Sequence, residues 1–178
     1  KLSYANEILG GGSSGRLFQT LRIEKGYTYG AYSFISESNE VSPFVAYSSV
    51  RANATSSSME IIEGLIQNYS TTFTDEEVDI TQNKLLKSNA GSYESLSAKL
   101  NLLRNMSKYK KSLTYLEEDQ NELINMTLTD FKSVIDQYLV EDEMIYVVVG
   151  DKASQLSGLN EMGKGMAIEL DTDGNQTN

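Results

Sequence analysis

Two residues in this sequence have the side chains and the spacing to act together: Arg22 and Tyr29, seven residues apart. Arginine offers a permanent charge and several donors in a flat fork; tyrosine offers a hydroxyl on a rigid ring. The stretch between them predicts how they meet. Gly26 stands where a glycine stops a helix, just after Lys25 in its last turn, and a period-two run rich in tyrosine follows at residues 27–35. Arg22 therefore falls in the last turn of a helix and Tyr29 just inside a strand. The glycine turn folds one back toward the other, so that their polar tips converge on one spot. A plainer reading stands beside this one: an arginine at a helix end often only caps carbonyls, and a strand tyrosine often only packs.

Other groupings carry less chemistry. Gly10, Gly12 and Gly15 satisfy G-x-G-x-x-G, but the segment before them reads as helix where a dinucleotide site needs a strand. Gly10 and Gly15 also have the spacing of a phosphate loop, yet Arg16 and Leu17 replace its Lys and Ser/Thr. Asp171, Asp173, Gly174 and Asn175 resemble the start of a calcium loop without its distal glutamate, which leaves a turn. Glu117, Glu118, Asp119 and Glu122 read as a solvated helix face. The sequence has no Cys and no His, which removes disulfides, thiolate and imidazole metal ligands, and any Ser-His-Asp triad. A net charge of −10 argues against nucleic acid as a partner. No apolar run approaches the roughly 20 residues of a membrane span.

The elements that must position Arg22 and Tyr29 follow from periodicity. Residues 1–9 read as the end of a helix. Gly10, Gly11 and Gly12 form a hinge through positive φ, and Ser13 or Ser14 caps the next helix, which turns Leu17, Phe18 and Leu21 to one face. On the first strand Tyr27, Tyr29 and Ala31 are expected on one face, with Tyr32 and Phe34 turned to the helices. Pro43 opens a hairpin partner at residues 43–51. A helix is expected at 58–69, with Met59, Ile62, Leu65 and Ile66 inward, and another from a capping box at Thr74 and Glu77. After Gly91 come helices at 95–108, presenting Leu96, Leu100, Leu103 and Met106, and at 113–125. A last long helix turns Phe131, Val134, Ile135 and Tyr138 inward. The apolar run at 144–149 is expected as a central strand, and most tyrosines, Tyr47 and Tyr146 included, as core or hairpin packing. The order indicates an α+β fold, helices layered on an antiparallel sheet, and 178 residues with 39% hydrophobic content suit one domain.

The segments ILGGGSSGRLFQTLR, EKGYTYGAYS, YVVVGD and LNEMGKGMAIELDTDG resemble the pitrilysin/insulinase family of zinc metallopeptidases, and among its parts the second, non-zinc-binding domain. The resemblance implies the mitochondrial-processing-peptidase-like metallohydrolase fold, with residues 1–178 as a single C-terminal-type domain lacking its first strands. In that family a second-domain arginine and a tyrosine seven positions later contact the substrate; those positions are Arg22 and Tyr29 here. The implied role is to clamp a peptide and supply donors, while zinc and the base come from a catalytic domain or partner subunit. The glycine turn, Gly10 to Gly12, would lie near the interface of the two halves. The alternative within the same fold is a non-catalytic assembly subunit. An open sheet edge would also favour homo-oligomers. Periplasm and cytoplasm both fit. This chain by itself is expected to hold no catalytic zinc and to cleave no peptide. Metal analysis after dialysis together with a peptide-cleavage assay checks this; stoichiometric zinc with chelator-sensitive cleavage would contradict it.

Overall fold

Tyr4, Ala5, Ile8 and Leu9 fall on the buried side of the first helix, and that helix sits within the core. The structure, a computed structural model, describes residues 1–36, 38, 40–91 and 94–177. Helix α1 (Leu2–Leu9) leads through the glycine turn into α2 (Arg16–Phe18), which continues as a π-helix over Gln19–Glu24. Strands β1 (Thr28–Ile35) and β2 (Phe44–Val50) form an antiparallel hairpin. Helices α3 (Thr55–Gln67), α4 (Tyr69–Thr72), α5 (Asp75–Gly91), α6 (Leu96–Lys108), α7 (Tyr115–Asn125), α8 (Leu128–Tyr138) and α9 (Lys152–Glu161) complete an α+β architecture. α1 packs against β1, α5 and α8. Tyr69 and Phe73 meet edge to face, and Phe73 stacks on Phe131 with centroids 5.3 Å apart, tying α4 to α8.

The glycine turn works by close approach. Among the described residues only Gly26, Gly163, Gly165 and Gly174 are glycines with positive φ, so the expectation of positive φ at Gly10, Gly11 and Gly12 is corrected. A Cβ on Gly10 would lie 2.3 Å from Ser33 Oγ and 2.5 Å from Ser33 N, and one on Gly15 would lie 3.0 Å from the Gly10 Cα. Absent side chains let the turn press onto β1, where Ser33 N–H donates to the Gly10 carbonyl at 3.0 Å. Asn6 Nδ2 donates to the Ser33 carbonyl at 2.8 Å, and Ser33 Oγ donates to Asn6 Oδ1 at 2.5 Å. Both side chains are buried, so each polar group is satisfied by the other. Neither Ser13 nor Ser14 caps α2; Gly15 holds that position without a side-chain bond.

Arg16 joins the start of α2 to two further elements. Its guanidinium donates to Glu77 at 2.7 and 2.8 Å, to Thr72 Oγ1 at 2.6 Å and to the Thr72 carbonyl at 2.9 Å, and lies 5.1 Å over the Tyr69 ring. Glu77 also accepts from Thr74 N–H at 3.0 Å, the capping box that opens α5. Burial pushes the Tyr69 phenol far above its ordinary value, partly offset by Arg16; its hydroxyl donates to the Ala5 carbonyl in α1.

Some expectations about burial fail. Residues 144–149 form no strand: Ile145 is 90% and Val149 97% exposed, because no neighbour among the described residues supplies a ladder for them. Helix α6 forms as expected from its Ser95 cap, yet Leu96, Leu100 and Leu103 are exposed. Tyr138 is exposed rather than turned inward, while Tyr47 packs in the hairpin against Tyr32 and Phe34 with its outer side exposed. Tyr146 donates instead to Glu141 at 2.5 Å, beside Lys164, which bridges Glu141 at 2.6 Å and Glu63 at 2.8 Å. Those bonds, Lys164 first, hold the Glu141 carboxyl below the usual carboxylate range.

The Arg16 network predicts an ordered pair of stability losses. Arg16→Ala leaves the Glu77 carboxylate without its cation and should cost about 2–3 kcal/mol. Glu77→Gln, which still accepts from Thr74, should cost about 1 kcal/mol. Urea unfolding checks both; equal losses, or none from Arg16→Ala, would contradict the arrangement.

Candidate functional site

Leu17 and Leu21 are fully buried and fix the roll of α2 on the core, which leaves Phe18 and Arg22 at its side. From Gln19 the helix widens: Lys25 N–H donates to the Thr20 carbonyl, five residues back, at 3.0 Å. Gly26 then takes φ +63, and Tyr27 N–H closes onto the Leu21 carbonyl at 2.9 Å, a left-handed glycine stop. The expected helix stop and short turn are both present; the π-helical turn was not foreseen, since i to i+5 bonding leaves no mark in apolar periodicity.

Strand β1 starts at once, and its first residues are irregular. Thr28 pairs with Val50 and Ala31 with Ser48, so three steps on β1 face two on β2: a β-bulge. Thr28 Oγ1 accepts from Gly30 N–H at 3.0 Å and donates to the Ser49 carbonyl at 2.7 Å, while Ser48 Oγ donates to the Gly30 carbonyl at 2.9 Å. The extra residue shifts the alternation. Thr28, Ala31 and Ser33 are buried, and Tyr29 is 91% exposed. The expectation that Tyr29 and Ala31 share a face, with Tyr32 and Phe34 turned to the helices, is therefore wrong: Ala31 and Ser33 face the helices, and Tyr32 and Phe34 lie on the outer surface with Tyr29. Glycine inside a strand pattern was the signal that marks such a bulge.

Arg22 and Tyr29 do meet. The guanidinium carbon lies 5.2 Å over the Tyr29 ring centroid, a cation–π contact. This holds the flat fork at the strand's outer face and leaves the Tyr29 hydroxyl in solvent. Arg51 repeats the pattern next door, 5.8 Å over the Tyr27 ring, with its N–H donating to the Tyr27 carbonyl. The first turn of the hairpin thus presents two guanidinium groups on a chain of net charge −10. Arg22 brings a permanent charge and several donors to this surface, and Tyr29 brings a hydroxyl. Metal chemistry has no matching ligands here: the sequence lacks His and Cys, and no cluster of three or more carboxylates among the described residues could hold an ion. Asp171 to Asn175 is a turn stabilised by the Asp171 carboxylate, with Gly174 at φ +82.

Residues 1–85 match the family model of the peptidase M16 inactive domain. A crystal structure of a peptidase M16 inactive domain from Pseudomonas fluorescens superimposes with a TM-score of 0.72 at 26% identity, covering 79% of this chain and 34% of that one. A proposed zinc protease from Bordetella pertussis Tohama I gives a TM-score of 0.65 at 17% identity, covering 78% of this chain and 76% of that one. The non-peptidase homolog YmxG of Helicobacter pylori is 22% identical over 147 residues, 82% of this chain, of which the chain spans 34%. The chain spans about a third of the length of the curated relative and of the Pseudomonas structure. Residues 1–85 by sequence, and the fold as a whole, are similar to the inactive second domain of the M16, or pitrilysin, family.

The bulge carries its own prediction. Thr28→Val keeps the shape and removes the hydroxyl that Gly30 N–H uses, and should cost about 1–2 kcal/mol. Amide exchange at Gly30 should quicken by about tenfold or more; unchanged protection there would show that Thr28 does not hold the bulge.

Proposed function

We propose that this domain is the substrate-clamping half of a zinc-dependent endopeptidase, in which Arg22 and Tyr29 hold the peptide against a catalytic half. The observation that carries this reading is their contact on an exposed surface, where the helix stop at Gly26 brings the helix end to the strand start. Zinc would come from that other half, on the same chain or a partner subunit, and would polarise the scissile carbonyl. Arg22 would then donate to a backbone carbonyl of the substrate, or to the oxygen as it gains negative charge, with its orientation set by the Tyr29 ring. The Tyr29 hydroxyl is a second donor, carried on a ring whose only freedom is rotation about two side-chain bonds. Gly10, Gly11 and Gly12 would sit near the junction of the halves. The extended segment at 144–149 suits a place beside a further strand, supplied by another domain or a second copy.

A second reading is supported by the name of one relative, a non-peptidase homolog: a domain kept for assembly, with its clamp residues retained but idle. Mutation in the full peptidase separates the two. Tyr29→Phe preserves the ring beneath Arg22 and deletes only the hydroxyl. It should lower kcat/KM by about 10²–10³, and Arg22→Ala should do likewise, with zinc content unchanged. The double variant should lose less than the product of the two if both act on one substrate group. Full activity in both single variants would favour the assembly reading.

A further inference from the structure

The bulge that follows Tyr29 turns a set of aromatic rings to the outer surface of the hairpin. On the inner face of the hairpin, Ser33 pairs with Ala46 and Ile35 with Phe44, and Ala46 and Phe44 pack against the core. On the outer face, Tyr32 pairs with Tyr47 and Phe34 with Val45. Phe34 and Tyr47 are exposed. The rings are continuous: Tyr32 and Tyr47 have centroids 6.1 Å apart, Phe34 and Tyr47 5.8 Å, and Phe18 of α2 closes the end at 5.9 Å from Tyr32. Phe18 precedes Arg22 by about one turn of the continuous helix, which puts the rings on the side of the Arg22–Tyr29 pair. No residue named on this outer strip carries a charge.

We infer that this aromatic strip is a substrate subsite that selects uncharged aromatic and branched aliphatic side chains on the peptide held by Arg22 and Tyr29. The inference rests on the clamp reading above. Alternate side chains of an extended peptide project to one side at intervals of about 6.6–6.8 Å. Neighbouring rings of the strip are spaced at 5.8–6.1 Å, close enough for successive side chains on one side of the peptide to meet successive rings. Aromatic and aliphatic side chains bury apolar area there and meet ring faces and edges, while a carboxylate would lose hydration without gaining a partner. The donors of Arg22 and Tyr29 serve any peptide backbone alike; the rings read what the backbone carries. The strip is thus suited to set specificity, and the clamp to set orientation.

The test is binding of two labelled nine-residue peptides to this domain assembled with its catalytic half, followed by fluorescence anisotropy in the presence of a chelator to prevent cleavage. The peptides share a backbone and differ only at alternate positions, Phe in one and Ser in the other. Wild type should bind the Phe peptide about tenfold more tightly, and Phe34→Ser with Tyr47→Ser should reduce that preference to about twofold or less. Tyr47→Phe should retain it. Arg22→Ala should weaken both peptides alike. Equal affinity of wild type for the two peptides would overturn the subsite, as would a preference unchanged in the double variant or an equal loss for both peptides. If Arg22→Ala leaves both affinities unchanged, the clamp reading fails instead, whatever the rings do.

Discussion

The structure depends on one buried contact, the clip between Asn6, Gly10 and Ser33. It joins the end of α1 to the middle of β1 through three hydrogen bonds that water cannot reach. A side chain at Gly10 would occupy the space of Ser33 itself. With that point fixed, the chain leaving the glycine turn has to run back along the sheet, and α2 descends beside β1 with Leu17 and Leu21 sealed against the core. Arg16 secures the head of α2 to α4 and α5. The tail is left to end at the sheet's first rung, which is where Arg22 must be if it is to reach Tyr29.

Two departures from regular geometry then shape this surface. The π-helical turn and Gly26 bring the helix end onto the strand start, where Tyr29 points outward next to buried Thr28, and the bulge at Thr28 to Ala31 then turns Ala31 and Ser33 inward. Each departure leaves backbone groups out of the regular ladder, and each is satisfied locally: Tyr27 N–H by Leu21, Gly30 N–H by Thr28, the Gly30 carbonyl by Ser48. Irregular backbone whose polar groups are all met is stable enough to serve as a scaffold. The same bulge decides that the aromatic face of the hairpin looks outward, on the surface that also carries Tyr29.

Much of this was legible in the residues. Lys25 and Gly26 mark the helix stop, and the tyrosine run marks the strand, so the meeting of Arg22 and Tyr29 follows from chain geometry. The Thr74 and Glu77 capping box and the Ser95 cap are local signals, and both are present. The strand's alternation was misread because one inserted residue reverses every later side chain, and only Gly30 hinted at it. The glycine turn was assigned to backbone freedom when its cause is contact with Ser33, a residue 23 positions beyond Gly10 that periodicity cannot bring near. The apolar residues of 144–149 and of α6 state a preference for burial but not what covers them, and Ile145, Val147, Val149, Leu96, Leu100 and Leu103 are left exposed among the described residues.

The central claim is that Arg22 and Tyr29 together engage the backbone of a bound peptide. The most direct measurement is a crystal structure of this domain assembled with its catalytic half and with an uncleaved peptide in place. The account predicts an Arg22 guanidinium nitrogen and the Tyr29 hydroxyl each about 2.7–3.2 Å from oxygen atoms of one peptide segment. A peptide bound elsewhere, or one that passes this surface with both side chains still turned to solvent, would contradict it.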